Sequence, residues 1–225
     1  MLIIAIPKSA SSSLTETLCE IHGLSNATAD INELFAKQSV PGVSLLYKYH
    51  SLPQIDRDLA EKVLGEERNL YKLHMFPTEQ NKRLVEGRKK VVLLRRPEEI
   101  VLAEKRAQEA YIHSKRDDFA GCSSEDEWIA RSRELGLYQD LEEFERGWRE
   151  LNDGQTLFLD FEEITKEPQK SVNKIEEFFG WPVSKKVKLK KERYSRHSSS
   201  RNLLRKVLRK AKRKARRIIK RRFKI

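Results

Sequence analysis

The chain has 225 residues, of which 38% are apolar and 36% charged, and a formal net charge of +12. That length suits one domain with a single sizeable core, and the charged fraction means that some segment lies outside it. Two cysteines, Cys19 and Cys122, exclude a disulfide-framed fold, and no apolar run approaches the length of a membrane span.

The charge is unevenly placed. Residues 185–225 hold 21 Lys and Arg against one acid, Glu192, a balance of +20, which leaves 25 basic and 33 acidic groups, a balance of −8, for residues 1–184. The expected division is a mildly acidic α/β domain over 1–184 and a basic linker with an amphipathic helical tail over 185–225. Free thiols point to a reducing compartment, and the opening apolar run is too short for a secretory signal. The chain is therefore expected to be cytoplasmic, peripheral on a membrane where its tail binds one.

Leu2 to Ile6 is an apolar, β-branched run that reads as a buried strand ended by Pro7, and Leu14, Leu18 and Ile21 then recur at helical spacing up to Gly23. Ser25 or Thr28 is expected to cap a short helix through Phe35, and Val43 to Tyr49 reads as a strand ending near His50. A helix over 53–64 precedes a strand-like run from Asn69 to Phe76. Thr78 then caps a helix that stops at Gly87. Val91 to Leu94 is the clearest buried strand, and Pro97, Glu98 and Glu99 open the helix after it. Helices over 125–135 and 137–151, a strand over 156–161 and a helix over 168–179 complete the core. Strands alternating with helices predict a parallel sheet with helices on both faces, and such sheets bind ligands beyond the carboxyl ends of their strands. Lys8, His50, His74 and Arg95 all fall at or just past proposed strand ends.

Between the first strand and helix, Pro7, Lys8, Ser9, Ala10, Ser11, Ser12 and Ser13 form a loop of small residues carrying one lysine. Such a loop converges backbone N–H groups and hydroxyls at a helix N-terminus, where an anion is favoured, and Lys8 adds charge. The alternative is that the serines cap the helix. Lys8 precedes the small residues and no Gly is present, so the loop is not a Walker A motif.

Pro7 to Ser12 after an N-terminal strand resembles the 5′-phosphosulfate loop of sulfotransferases that use 3′-phosphoadenosine-5′-phosphosulfate (PAPS), with Ala10 at a usual Gly. Val91 to Ile100, with Arg95-Arg96-Pro97, resembles that family's 3′-phosphate segment. The resemblance gives Arg95 the 3′-phosphate, and Ala103 stands where the family has Ser, so Arg96, Arg106 or a residue of the basic C-terminal region would substitute. Lys72-Leu73-His74 is similar to the family's Lys-x-His element, which supplies the general base. Lys48-Tyr49-His50 repeats that pattern, so His74 and His50 both stand as bases, with His74 favoured. The family's glycine-rich Arg-Lys-Gly segment is absent, and Arg193, Arg196 and Arg201 are expected to take its place over the nucleotide.

The resemblance implies a P-loop-like sulfotransferase fold and metal-free transfer of a sulfuryl group from PAPS to an acceptor hydroxyl of a glycan, lipid or small molecule. Lys8 would stabilise the leaving nucleotide. A kinase using the loop for ATP, or a non-enzymatic binding module, are the rival readings. From Asn202, apolar residues recur as one stripe among Lys and Arg, which fits an interfacial helix on an anionic membrane through 201–225 better than a nucleic-acid contact.

Overall fold

The computed structural model of the chain describes residues 1–28, 61, 65, 68–110, 117–151 and 153–190. Lys48, His50, the strand expected over 43–49, all but Glu61 of the helix expected over 53–64, and Arg193, Arg196, Arg201 and the tail helix lie outside the described residues.

The opening run forms β1 (Leu2–Ala5), buried throughout. α1 (Ser11–His22) ends on Gly23, whose φ of 63° lets its N–H turn back to the Cys19 carbonyl. β2 (Ser25–Asn26) takes Ser25, the first of the two expected caps, into the sheet, while Thr28, the second, is the last described residue before the helix expected through Phe35, which lies outside the described residues. The N–H groups of Ser25 and Ala27 reach the carbonyls of Arg68 and Leu70, so sheet pairing overrides capping preference there. β3 (Asn69–Leu73) is followed by α2 (Glu79–Val85), capped by Thr78 as expected. β4 (Lys90–Leu94) leads into α3 (Pro97–Glu109), with Pro97 in the first turn. α4 (Glu125–Glu134) starts with a capping box between Ser124 and Glu127, and α5 (Leu137–Arg149) follows after Gly136.

β5 (Thr156–Asp160) is one residue shorter than expected, because Phe161 opens a short helix, α6 (Phe161–Lys166). Asp160 sits extended at its N-cap, and Glu162 and Glu163 suit its first turn. α7 (Pro168–Phe179) closes the core on Gly180.

The strands form one parallel sheet in the order β2-β3-β1-β4-β5. The chain moves from β1 to one side, then crosses back to lay β4 on the other. The carboxyl end of β1 is therefore the point where the strand order reverses, which is where such sheets open a ligand crevice. Strand side chains alternate between two cores. Ile4, Ile6, Leu73, Val92 and Leu94 face Val101, Trp128, Phe144 and Trp148, while Ile3, Ala5, Val91 and Leu93 face Leu14, Leu18, Val172 and Ile175.

Two polar fastenings hold the body together. Lys90 is fully buried, and its ammonium donates to the Val85 carbonyl at 3.1 Å and to Asp153 at 2.6 Å. Buried Glu176 on α7 accepts from the Ser184 N–H at 2.9 Å and lies 3.0 Å from His22 Nε2, bringing the chain beyond α7 and α1 together. Residues 185–190, the head of the expected basic segment, therefore run along the body. Val187 and Leu189 pack on the second core, and the Lys190 N–H donates to Thr17 at 3.1 Å.

Candidate active site

Lys8 and Ala10 both take left-handed backbone, at φ 63° and 60°, around a buried Ser9 whose hydroxyl donates to the Ile6 carbonyl at 2.7 Å. Backbone that alternates left-handed with right-handed residues can turn successive N–H groups to one side as a nest for an anion. Ala10 is the N-cap of α1 and no side chain caps that helix, so the serines are not its cap. Ser11 and Ser13 are buried beside the nest and Ser12 is exposed.

His74 leaves the carboxyl end of β3, next to β1. Its Nδ1 lies 2.7 Å from the Ala5 carbonyl. A carbonyl only accepts, so Nδ1 carries the hydrogen and the lone pair of the neutral ring is on Nε2, the state a general base needs. Lys72 lies two residues earlier on the same strand, and burial pushes its ammonium below the ordinary lysine value.

Arg95 leaves the carboxyl end of β4, on the other side of β1. Its Nη1 donates to the Lys8 carbonyl at 2.6 Å, its Nε donates to Glu99 at 3.2 Å, and its guanidinium lies 3.7 Å from the centre of the Phe161 ring. The pairing with Glu99 is real, but a side chain only 10% exposed and fastened to the loop is no surface ion pair. Arg96 instead points outward, 69% exposed, between Glu99 and Glu162. Ala103 lies half-buried on α3, and the next residue, Glu104, reaches Lys8: its Oε1 is 3.7 Å from Lys8 Nζ.

Lys8, His74 and Arg95 thus come from three adjacent strands to one rim. Depressions of about 670 Å³ beside Pro168 and Lys174 and about 590 Å³ beside Pro97 and Arg146 are lined by other residues. Among the described residues, no group of three His, Cys, Asp or Glu is placed to hold a metal ion. No helix among them is long and apolar enough to cross a membrane.

A sulfotransferase-domain family profile matches residues 1–221. The chain belongs to the sulfotransferase family. It is an enzyme of sulfuryl transfer, and the kinase and binding-module readings fall with that assignment. Among solved structures, a sulfotransferase from Alicyclobacillus acidocaldarius is 17% identical over 86% of this chain and 85% of its own, with a TM-score of 0.50. Mouse sulfotransferase SULT7A1, solved with PAP, is 19% identical over 82% of this chain and 59% of its own, with a TM-score of 0.48. The sulfotransferase domain of the curacin biosynthetic pathway is 17% identical over 82% and 74%, also at 0.48. The first of these likenesses establishes the fold as that of a sulfotransferase. No curated protein sequence matches the chain significantly.

The sequence pattern had marked Lys8, His74 and Arg95. Glu104 and Phe161, which touch two of them, were missed. Glu104 carried a signal, since it interrupts the apolar stripe of Ile100, Val101 and Ala107 on a buried helix face. Phe161 had none beyond its place after β5.

Proposed function

We propose that the chain moves the sulfuryl group of PAPS to an acceptor hydroxyl of a glycan, lipid or small molecule. The nest of residues 7–13 and Lys8 take the 5′-phosphosulfate, and Arg95 takes the 3′-phosphate, with Arg96 at the edge of that subsite. The observation that carries this reading is the joint fastening of His74 to the Ala5 carbonyl and of Arg95 to the Lys8 carbonyl, on either side of one anion nest. The donor set fits a polyanion, because it combines left-handed loop backbone, a helix N-terminus and two cations.

PAPS brings a sulfuryl group joined to a good phosphate leaving group. His74 Nε2 accepts the hydroxyl proton as the acceptor oxygen bonds to sulfur and the bond from sulfur to the 5′-phosphate oxygen breaks. Lys8 and the nest N–H groups meet the charge that gathers on that departing oxygen, where their effect is larger in the transition state than before it. Lys72, whose ammonium burial already disfavours, adds a positive charge beside the base.

Arg193, Arg196 and Arg201 are proposed to close over the nucleotide. In support, the Lys190 N–H donates to Thr17 Oγ1, which donates at 2.7 Å to the Ser13 carbonyl at the loop's end. Arg193 is thus three residues from a point tied to the loop, a reach of roughly 10 Å. The tail over 201–225 is proposed to rest on an anionic membrane on the cytoplasmic side, on the strength of its stripe and its charge. Removing 201–225 should abolish cosedimentation with phosphatidylserine vesicles, and unchanged cosedimentation would remove that role.

The decisive test is thermal unfolding with adenosine 3′,5′-bisphosphate against ATP plus Mg²⁺, since a ligand of the native state alone raises the melting temperature. Stabilisation by the bisphosphate, lost in Arg95→Ala, is expected, and preference for ATP would refute the donor assignment. Lys8→Ala should abolish transfer with the fold intact. His74→Ala should lower turnover more than bisphosphate binding; if His50→Ala does so instead, the base is His50.

A further inference from the structure

The cations at this rim are not presented bare. Arg95 meets Glu99, and Lys8 meets Glu104, both carboxylates from α3. The two acids differ in kind. Glu99 lies in the first turn of α3, where the helix dipole favours an acid and solvent reaches it. Glu104 lies in the helix interior, 3% exposed, on the buried face that carries Ile100, Val101 and Ala107. A carboxylate there is costly unless a cation stays close, and it cannot swing out to water when Lys8 is recruited by a ligand.

The separation of 3.7 Å between Lys8 Nζ and Glu104 Oε1 is an ion-pair distance longer than a hydrogen bond. The left-handed backbone at Lys8 fixes the root of its side chain, and an ammonium has three donors to share between partners. Lys8 is therefore aimed by Glu104 without being locked to it.

We propose that Glu104 is a positioning residue that holds Lys8 as a shared counter-ion, so that the negative charge at position 104 sets how tightly the loop binds the 5′ end of its nucleotide. Donor binding becomes an exchange, in which the lysine keeps part of its charge on Glu104 and gives the rest to the phosphosulfate. The enzyme holds nucleotide less tightly than its cations alone would allow, which favours release of the spent bisphosphate. The proposal rests on the loop being the 5′-phosphosulfate cradle argued above.

The test is the affinity of purified full-length protein for adenosine 3′,5′-bisphosphate, by calorimetry, in wild type and Glu104→Gln. Removing one charge roughly 10 Å from a bound phosphate, at an effective dielectric near 20, should tighten binding by at least about tenfold. Adenosine 3′-monophosphate, which puts nothing at Lys8, should gain severalfold less in the variant than the bisphosphate does. A purely structural role for Glu104 would loosen both ligands. Unchanged or weaker bisphosphate binding overturns the proposal, and so does an equal gain for both ligands, because the charge would then act on the whole pocket and not through Lys8. Should Glu104→Gln not fold, Glu104→Asp serves: it keeps the charge but draws it back from Lys8, and a two- to threefold gain is expected, with none overturning the proposal. If wild type binds no bisphosphate, the donor reading falls and this proposal with it. Wild-type binding with no gain in the variant overturns this proposal alone.

Discussion

Gly147 is where one methyl group would press on both the fold and the seat of His74, the proposed base. It lies in the interior of α5, facing the turn that follows His74, and a Cβ built there would stand 2.5 Å from Pro77 Cγ and 2.7 Å from Pro77 Cβ. Both are atoms of a closed ring that has no rotamer to retreat into, so the helix and the 74–77 segment must part by about 1 Å to restore ordinary carbon contact. In an open helix, Gly147→Ala would gain about 1 kcal/mol from backbone entropy. Here overpacking costs about 1–3 kcal/mol and at least offsets it, for a net loss of up to about 2 kcal/mol. At this chain length that loss lowers the melting temperature by up to about 8 °C. The shift also reaches the site, because the neighbouring Trp148 holds the Met75 carbonyl through Nε1 at 3.0 Å, one residue from His74. A displacement of that size at a proton acceptor can cost up to about 10²-fold in rate. Thermal unfolding, bisphosphate affinity and transfer rate should be read on the same preparation. The expected result is a lower melting temperature and a slower transfer with bisphosphate binding kept. A more stable Gly147→Ala with full activity would refute the claim that this contact seats His74.

Lys72→Met should raise stability at neutral pH while lowering the transfer rate. Burial holds the folded-state pKa of Lys72 below its unfolded value, so between the two the unfolded chain binds more protons and wild-type stability rises with pH. The advantage of Lys72→Met in urea unfolding should therefore be largest near pH 7 and shrink towards pH ~10.4; an advantage independent of pH would show that the charge is not its source. Asp153→Asn strands the Lys90 ammonium and should cost about 3–5 kcal/mol in urea unfolding. Burial opposes ionisation of Asp153, but the hydrogen bonds from Lys90, Gln155 and Thr156 outweigh it and leave its pKa below the ordinary carboxylate value. Its contribution is complete above the unfolded carboxylate pKa and lost as pH falls through the folded one, so wild type and variant should converge in acid. Arg95→Lys keeps the charge but cannot both lie on Phe161 and reach the Lys8 carbonyl. It should weaken bisphosphate binding at least tenfold, and wild-type affinity would mean that the guanidinium's geometry is not used.

Most of the described fold was legible because its signals are local. Leu2 to Ile6 and Val91 to Leu94 are apolar runs that only a sheet covered on both faces needs, and Thr78, Pro97 and Gly180 punctuate helices by their own chemistry. Lys8 and Arg95 were legible for the same reason, since each closely follows such a run, whereas His74 stood out through the likeness of Lys72-Leu73-His74 to the family's Lys-x-His element. What escaped was set by pairings distant in sequence. Ser25 had a cap's composition and became a strand because β3 lay open beside it. Phe161 continued an apolar run, yet it turned into a helix under Arg95. Glu104 meets Lys8 across 96 positions, and no spacing rule joins an acid on one helix to a lysine three strands earlier.

The way these groups are held explains how the loop tolerates its departures from the family pattern. His74 bonds to the carbonyl of Ala5, Ser9 to that of Ile6, Arg95 to that of Lys8 and Thr17 to that of Ser13. Those acceptors are all main-chain atoms of the first thirteen residues, so the site depends on the path of β1 and its loop more than on side-chain identity within the loop. Ala10 illustrates the consequence. Its left-handed φ of 60° costs roughly 1–2 kcal/mol that glycine would not incur. Its methyl is buried against the second core, which returns about 0.8 kcal/mol, and alanine also lowers the entropy of the unfolded chain by a comparable amount. The two sides nearly cancel, so alanine holds the same loop path that glycine would.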